Sequence, residues 1–372
     1  MTHAKKHSIR HSWRTLRRLM AHTLTAAQLV CVAAFGACAA SVYISPVKCS
    51  WLSVLGLGFP LLLGLVCGVL LLALIFTPRR AWISLVGILA CIGSIRNYMP
   101  FNIPSEPPVD AWHVMSWNVG GAAWNDSTHD AMRTFLTESQ LDLLGLQELG
   151  NARADKFREA LSYRMPYFCN QASNDDYTGL CLFSRWPIVG NEIICRSSGN
   201  MAQAYSVVIS PKDTLIVLNC HLQSMHIDNN TRSDYEAIMH RENTNADTLE
   251  TTSRSIVRYI RENSKIRALQ ADTIYQYLEK NSNKRLIVMG DFNDTPISYT
   301  RQHIMQAAPL LDCFREAGNG ISRTFNRNAI YVRIDHILAS GIYFKPYATH
   351  VTTTKLSDHN PVETYLSNIN NY

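Results

Sequence analysis

Residues 285–293, Arg-Leu-Ile-Val-Met-Gly-Asp-Phe-Asn, join a short apolar run to a polar ending. The run is rich in β-branched and apolar residues, which predicts a strand over Arg285–Met289. Asp291 and Asn293 follow directly after this strand. Side chains at the end of a strand are held on a rigid scaffold at the rim of a sheet, where catalysis can use them.

Similar runs occur on both sides of this strand, separated by helical patterns. The further predicted strands are His113–Trp117, Leu141–Leu146, Leu180–Ser184, Tyr205–Ser210, Leu215–Leu222, Ile334–Ala339 and Val362–Leu366. Helices are predicted at Thr128–Glu138, at Ala152–Leu161 and near Ser253–Glu279. This mixture over about 260 residues predicts a single layered α/β domain at 112–368, which follows an extended linker at 101–111.

Polar residues that the strand patterns do not predict stand at the ends of these strands. They are Asn118, Glu148, His221, Asp291, Asn293, Asp335 and His359. Each alone has a structural explanation: Asn118 can form a turn, Asp291 an Asx turn, and His221 can be a hydrogen-bonded core histidine. Together they predict one site at a shared rim, because strand ends on a rigid sheet can converge there.

Taken in chain order, these segments resemble the endonuclease/exonuclease/phosphatase superfamily, which includes DNase I, abasic-site endonucleases, sphingomyelinases and inositol-polyphosphate phosphatases. The matching segments are Ser116–Val119, Gln147–Glu148, Asn219–Leu222, Gly290–Asn293, Arg333–His336 and Ser357–His359, with Leu180–Ile188 as a further strand and turn. The resemblance covers roughly residues 110–368. It implies an α/β (α+β) fold, a four-layer sandwich of two mixed β-sheets flanked by helices.

The resemblance also implies a metal-dependent attack on a phosphate ester. Glu148 is the first candidate ligand, with Asn118 and Asp358 nearby, and the expected ion is Mg²⁺ or Mn²⁺. Oxygen ligands suit such a hard ion, which usually keeps several of its waters. The ion would act as a Lewis acid and as a template for the substrate.

The remaining roles also follow from the resemblance. The histidine that matches His359 activates the water in the family, and Asp335 would fix the tautomer of His359 through the other ring nitrogen. His221 would donate to a phosphate oxygen or to the leaving group, and Asn293 would hold a phosphate oxygen. Asp291 keeps two possible roles, orienting the water or binding metal. Abasic-site endonucleases have a tyrosine in place of His221, so the chain looks closer to the DNase and sphingomyelinase side.

The charge of the chain is unevenly distributed. Residues 1–100 contain ten Lys and Arg and no acidic residue, whereas residues 101–372 contain 25 basic and 29 acidic residues, a net charge of −4. A uniformly basic nucleic-acid binder is therefore excluded, because the excess positive charge lies among apolar segments, where it acts as an orientation signal.

The apolar segments predict an N-terminal bundle of about three transmembrane helices after a basic tail at 1–18. The predicted spans are 19–44, 51–76 and 81–100. The positive-inside rule then places the N-terminus in the cytoplasm and the large domain outside a cell membrane. If the third segment only lies on the membrane surface, the large domain is cytoplasmic instead. A cleaved signal peptide is the alternative for the first span, but its apolar stretch is too long for a typical one.

These observations predict a membrane-anchored, metal-dependent phosphodiesterase, with nuclease activity as the leading expectation. Because a domain of net negative charge lacks a general field for nucleic acid, a lipid-headgroup phosphodiesterase of the sphingomyelinase kind and a small-molecule phosphatase stay open. A catalytically silent scaffold is disfavoured, since such a relative would be expected to lose Glu148, His221 or His359. No obligate protein partner is indicated.

A basic stripe at near-helical spacing lies in the long predicted helix. It consists of Arg254, Arg258 and Arg261. Such a stripe either faces solvent or contacts nucleic acid or lipid headgroups.

Overall fold

The computed structural model describes residues 3–120, 126–171, 179–197, 200–224, 233, 237, 246–325 and 332–369. Five α-helices form its N-terminal part: α1 (His3–Ala40), α2 (Trp51–Leu57), α3 (Phe59–Phe76), α4 (Trp82–Ala90) and α5 (Ile92–Tyr98). Short 3₁₀ turns at Ser41–Tyr43 and Pro78–Arg80 follow α1 and α3.

Two of these helical stretches, Thr15–Tyr43 and Phe59–Phe76, are long and apolar enough to cross a membrane. A third crossing is formed if Pro78–Ala90 and Ile92–Tyr98 act as one span, although this pair is bent by 58°. The predicted second span, 51–76, is interrupted at Gly58, because Pro60 in the first turn of α3 has no backbone N–H with which to continue the preceding helix.

Twelve strands and five further helices of the described residues form the domain after the linker. The strands are β1 (Trp112–Asn118), β2 (Leu143–Gln147), β3 (Tyr167–Gln171), β4 (Leu180–Ser184), β5 (Ile188–Ser197), β6 (Asn200–Ser210), β7 (Asp213–His221), β8 (Arg285–Asp291), β9 (Leu310–Asp312), β10 (Asp335–Ser340), β11 (Phe344–Val351) and β12 (Val362–Asn368). The helices are α6 (Asp126–Glu138), α7 (Asn151–Leu161), α8 (Ala246–Lys280), α9 (Tyr299–Gln306) and α10 (Cys313–Ala317).

The strands form two mixed six-stranded sheets. The first has the order β11-β12-β1-β2-β4-β3 and the second β5-β6-β7-β8-β10-β9. In each sheet one neighbouring pair is parallel, β1 with β2 and β7 with β8, and the other pairs are antiparallel. The predicted pair of mixed sheets with flanking helices is confirmed.

Three buried apolar layers hold the sandwich together. Val114 and Leu143 of the first sheet pack against Val217 and Ile287 of the second, which forms the central layer. On the outer face of the first sheet, α6 and α7 bury residues such as Phe157. On the outer face of the second sheet, α8 and α9 supply the covering layer. Burial of this apolar surface is the main stabilising contribution.

A buried polar tie joins the two sheets across the central layer. Gln147 Nε2 of β2 donates to Asn219 Oδ1 of β7 at 2.7 Å. Asn219 Nδ2 donates in turn to the carbonyls of Leu146 and Cys181, at 3.0 and 3.1 Å. A buried amide without hydrogen-bond partners costs free energy. These bonds therefore fix how the two sheets are aligned relative to each other.

The apolar N-terminal helices pack directly on the second sheet's side of the domain. Ile297, between β8 and α9, is 1% exposed and belongs to the same buried cluster as Phe35 of α1 and Phe59 of α3. Arg333 Nη2 donates to the carbonyl of Asn97 in α5 at 2.6 Å. The segments that lead out of β8 and into β10 are therefore fixed against these helices.

Candidate active site

The second sheet brings three predicted site residues into one row. His221 ends β7, Asp291 ends β8 and Asp335 begins β10. His221 is the register partner of Asp291 on one side, and Asp335 is its register partner on the other. All three are buried, with side chains that meet at the rim of the sandwich.

The first sheet adds Asn118 and Glu148 to the same rim. Asn118 Nδ2 donates to Glu148 Oε1 at 3.0 Å and to Asp291 Oδ2 at 3.1 Å, which connects the two sheets through the site. His221 Nε2 lies 3.6 Å from the same Glu148 oxygen. Glu148 keeps 32% of its side chain exposed, so one face of the cluster is open to solvent.

The backbone around Glu148 is shaped for this contact. Glu148 has φ +59°, a left-handed conformation that is costly for a side chain other than glycine and is typical of functional positions. Gly120 lies against its carboxylate: a Cβ at residue 120 would be 1.7 Å from Glu148 Oε2. The glycine is therefore required for the carboxylate to lie where it does.

His359 and Asp335 form a hydrogen-bonded pair. Nδ1 of His359 lies 2.9 Å from Asp335 Oδ2, and Nε2 points to Asp291 Oδ2 at 3.8 Å. The ring of Phe325 packs edge-on against the imidazole, with centroids 5.0 Å apart. Trp117 Nε1 donates to the His359 carbonyl at 2.9 Å, which ties the loop that carries His359 to β1. The pairing with Asp335 is the arrangement that fixes the tautomer of a catalytic histidine.

The charges at this rim shift two pKa values. The pKa of Asp291 is raised to about 6, first by burial and then by the neighbouring carboxylate of Asp335, while His359 and His221 oppose the shift. Burial alone would lower the pKa of His359, but Asp335 and Asp291 more than offset it and raise that pKa to about 10. The His359 imidazole is therefore protonated at neutral pH as long as no other cation neutralises the neighbouring carboxylates.

Asp291 uses its two oxygens differently. Oδ1 accepts from the backbone N–H of Asn293 at 2.8 Å, which is an Asx turn, whereas Oδ2 faces Asn118 and the two histidines. Asn293 has φ +50°, and its Nδ2 donates to the Leu222 carbonyl at 2.9 Å. One hydrogen of the amide predicted to hold a phosphate oxygen is therefore engaged with backbone.

The donor set fits a divalent cation. Ligand atoms of Asp291, Asp335 and His359 lie within 4.8 Å of one another. Oδ1 of Asp335 is buried and has no hydrogen-bond partner among the described residues, so it retains full capacity to bind a cation. With Glu148 at the open side, three carboxylates surround the rim, and hard oxygen ligands of this kind suit Mg²⁺ or Mn²⁺.

Asp358 lies half-buried beside the site rather than in this row. Its charge contributes to the raised pKa of His359, which places it within electrostatic range of the imidazole. The part it plays in metal binding stays a prediction, as do the other individual roles.

Two hydroxyl residues position the site and were not singled out by the sequence analysis. Ser357 Oγ lies 2.9 and 2.8 Å from the carbonyls of Asn118 and Gly120, and it accepts the backbone N–H of His359. Thr324 Oγ1 accepts the backbone N–H of Asp335 at 3.1 Å. Ser357 stands in the matching segment Ser357–His359 but was given no role there, and Thr324 has no such signal because threonine is frequent in loops.

Comparison with known proteins agrees with this geometry. The model of the endonuclease/exonuclease/phosphatase family matches residues 115–359, well over half of the chain. The chain belongs to this family. The members of the family are phosphoric ester hydrolases that generally depend on a divalent metal. A second family model, of a domain of unknown function, matches residues 21–98. No curated protein matches the chain.

Solved structures of the family share the fold. The human nocturnin catalytic domain with bound sulfate is 16% identical, with a TM-score of 0.50 over 71% of this chain and 99% of that one. A family protein from Bacteroides thetaiotaomicron is 16% identical, with a TM-score of 0.46 over 70% and 98%. Sphingomyelinase C from Streptomyces griseocarneus is 16% identical, with a TM-score of 0.45 over 69% and 99%.

Proposed function

We propose that this chain is a membrane-anchored, divalent-metal-dependent phosphodiesterase. The observation that carries the proposal is the contact between the two sheets at the rim, where the His359–Asp335 pair faces Asp291, and Asn118 joins Asp291 to Glu148. One carboxylate orients this buried imidazole, and its other nitrogen is directed into the site, as a general acid or base needs to be.

The residues of the rim have distinct parts in the proposed reaction. Asp335 holds Nδ1 of His359, so that Nε2 exchanges a proton with the attacking water. Nε2 of His221 points into the site toward Glu148 and donates to a phosphate oxygen or to the leaving oxygen. Asn293 contacts a phosphate oxygen through its amide. Asp291 Oδ2, between the two histidines, orients the water.

Glu148 and Asn118, with Asp291 or Asp358 nearby, would hold the divalent cation. When bound, the cation supplies Lewis-acid activation of a phosphate oxygen and positive charge that offsets the carboxylates. A bound cation would offset the carboxylates that raise the pKa of His359, which would favour the neutral imidazole as the proton acceptor.

The helix ends support one membrane topology. Arg80 Nη1 donates to the carbonyl of Ala21 and to Thr25 Oγ1, at 3.3 and 2.9 Å, so the basic turn after α3 lies at the beginning of the first span. The helical segment from Ala21 to Tyr43 is about 33 Å long, which is close to the thickness of the hydrocarbon core of a bilayer. The catalytic domain contacts the opposite end, through Ile297 and through Arg261, which donates to Ser50. The positive-inside rule then places the domain outside the cytoplasm.

Two classes of phosphodiester are candidate substrates. The sequence predicts nucleic acid, which a scavenging nuclease at the cell surface would cleave. A phosphodiester in a lipid headgroup is the second candidate, because Asn293 in the site is only four positions from Ile297, which is buried among the apolar helices. Four residues span at most about 14 Å, and this short connection to the apolar helices supports a substrate carried at the bilayer surface.

A substrate panel tests this proposal. The full chain in detergent or nanodiscs should be assayed with double-stranded DNA, RNA, sphingomyelin vesicles and inositol phosphates, each with Mg²⁺ and with EDTA. We expect metal-dependent cleavage of one phosphodiester class and no release of phosphate from the monoesters. His350→Ala, at an exposed histidine, is the matched control for His359→Ala. Cleavage of none of the phosphodiesters, or equal cleavage by His359→Ala, would contradict the proposal.

A further inference from the structure

One face of α8 carries a row of basic side chains. Arg254, Arg258, Arg261 and Lys265 are spaced four, three and four residues apart, which places them on one side of an α-helix. The opposite side of α8 packs on the second sheet through buried residues such as Ile274. The basic face is therefore directed away from the core of the catalytic domain.

This basic face contacts the apolar N-terminal helices at Arg261. Its Nε donates to Ser50 Oγ at 3.1 Å, and its guanidinium lies 4.1 Å from the ring centroid of Trp51. Trp51 begins α2, next to the outer end of the first candidate span, and its side chain is largely exposed. A tryptophan at the end of an apolar helix is typical of the membrane–water interface. Arg261 thus joins α8 to the end of the apolar helices.

The rest of the basic face extends beyond this contact. Arg254 lies about 10 Å along the helix axis from Arg261, and Arg258 lies between them. Arg254 is 77% exposed and pairs with Glu250, and Arg258 lies over the ring of Tyr259. Lys265 pairs with Glu262 on the surface. Exposed ion pairs of this kind are weak and exchange readily for another anion.

We propose that this face of α8 lies on the membrane surface and binds the headgroups of anionic phospholipids. The inference rests on the membrane insertion included in the proposed function, but not on the hydrolytic activity. Basic residues close to an anionic leaflet are attracted to it, and α8 presents them at the side of the domain from which the apolar helices depart. A nucleic acid on this face would have to lie between the domain and the bilayer.

Binding of this face to lipid would also orient the catalytic rim. Arg267 of α8 donates to the carbonyl of Gln223 and forms an ion pair with Asp294, which is next to Asn293. Gln270 Oε1 accepts the backbone N–H of Gln223 at 2.9 Å. These buried contacts make α8 rigid relative to the site, so the basic face and the rim keep a fixed angle to the membrane.

Photo-crosslinking tests this inference in the full chain. The protein is placed in phosphatidylcholine nanodiscs with a trace of headgroup-photoreactive phosphatidylglycerol or phosphatidylcholine, and labelled peptides are identified by mass spectrometry. We expect the anionic probe, and not the zwitterionic one, to label residues 246–265. Arg254→Gln/Arg258→Gln should lower this labelling several-fold, because two of the charges that attract the anionic headgroup are removed. Lys280→Gln/Lys284→Gln, at the last residue of α8 and in the turn that follows it, should leave it unchanged.

Several results would overturn the inference. They are equal labelling by both probes, no labelling of α8 by the anionic probe, or loss of labelling when single-stranded DNA is added, which would assign the face to nucleic acid. Thermal unfolding of both double variants serves as the folding control, and the exposed position of the substituted residues predicts unchanged midpoints. His359→Ala should retain full labelling, so a failure of the hydrolytic proposal and a failure of this one are distinguishable.

Discussion

Gly120 is the residue whose missing side chain leaves room for the Glu148 carboxylate. We predict that Gly120→Ala lowers kcat by about 10²-fold or more, because the new Cβ displaces the carboxylate that we propose holds the metal. Thermal unfolding should change little, since the carboxylate can rotate toward solvent. Gly190→Ala is the matched control, because a Cβ there meets its nearest atom at 3.9 Å. Equal activity of the two variants would show that Glu148 is not needed where it lies.

Asp312 forms a buried ion pair with Arg301, with Oδ2 2.8 and 2.5 Å from two guanidinium nitrogens. Burial alone would raise the pKa of Asp312, but Arg301 and Arg333 more than offset it and hold the pKa well below its ordinary value. Asp312→Asn leaves a buried guanidinium uncompensated, and we predict a loss of about 3–5 kcal/mol in the free energy of unfolding. Glu250→Gln, in an exposed pair, should cost less than about 1 kcal/mol.

The same pair predicts a direction for the pH dependence of stability. The native carboxylate stays ionised at pH values where the unfolded chain binds a proton. Its contribution is therefore complete above the unfolded pKa of about 4 and is lost as the pH falls from there toward the lowered native pKa. Unfolding midpoints measured between neutral and acidic pH should show this loss in the wild type and less of it in Asp312→Asn. Parallel pH profiles for the two proteins would contradict the assignment.

At the scale of elements, the hydrogen bond between Gln147 of β2 and Asn219 of β7 is the contact that aligns the two sheets. Asn219→Ala leaves Gln147 Nε2 without its closest acceptor in a buried layer. We predict a loss of about 1–3 kcal/mol per unsatisfied group, measured by chemical denaturation in detergent. Asn283→Ala, at an exposed asparagine, is the control and should be close to neutral. A neutral Asn219→Ala would mean that apolar packing alone aligns the sheets.

The strands that the sequence predicts and those it misses differ by their place in the sheets. All eight predicted strands lie in the interior of a sheet, where two buried neighbours require a continuous apolar run. The four missed strands are the four sheet edges, β3, β5, β9 and β11. Edge strands face solvent, so β5 is mostly exposed or half-buried, β9 has three residues, and β11 contains Pro346 and a register shift.

The candidate site divides in a similar way. Residues that carry charge or an imidazole at a strand end, such as His221 and Asp291, stand out in the sequence because several of them recur together, although each alone also has a structural explanation. The groups that hold the site in place are backbone contacts made through Gly120, Ser357 and Thr324. Their partners are distant in the chain, so only the fold brings them to the rim.

At the scale of the whole molecule, the apolar helices and the catalytic domain form one packed unit. The basic turn with Arg79 and Arg80 lies at the end of the helices that is remote from the domain. We predict that a reporter enzyme that is active only outside the cytoplasm gives a signal when it is fused after Asp110. The reason is that the positive-inside rule keeps Arg79 and Arg80 in the cytoplasm. The matched control is a fusion after Thr77, which follows two spans and should report the cytoplasm. A cytoplasmic reading at Asp110 would mean that the bent pair α4–α5 does not cross the membrane.

The most direct test of the account is turnover of a chromogenic phosphodiester by the full chain, measured with Mg²⁺, with EDTA, and with Mg²⁺ restored. The arrangement of His359, Asp335 and Glu148 predicts hydrolysis that EDTA abolishes and Mg²⁺ or Mn²⁺ recovers, and a fall of at least about 10²-fold in kcat for His359→Ala. Turnover that persists in EDTA, or that His359→Ala leaves intact, would contradict the claim that this rim is a metal-dependent hydrolytic site.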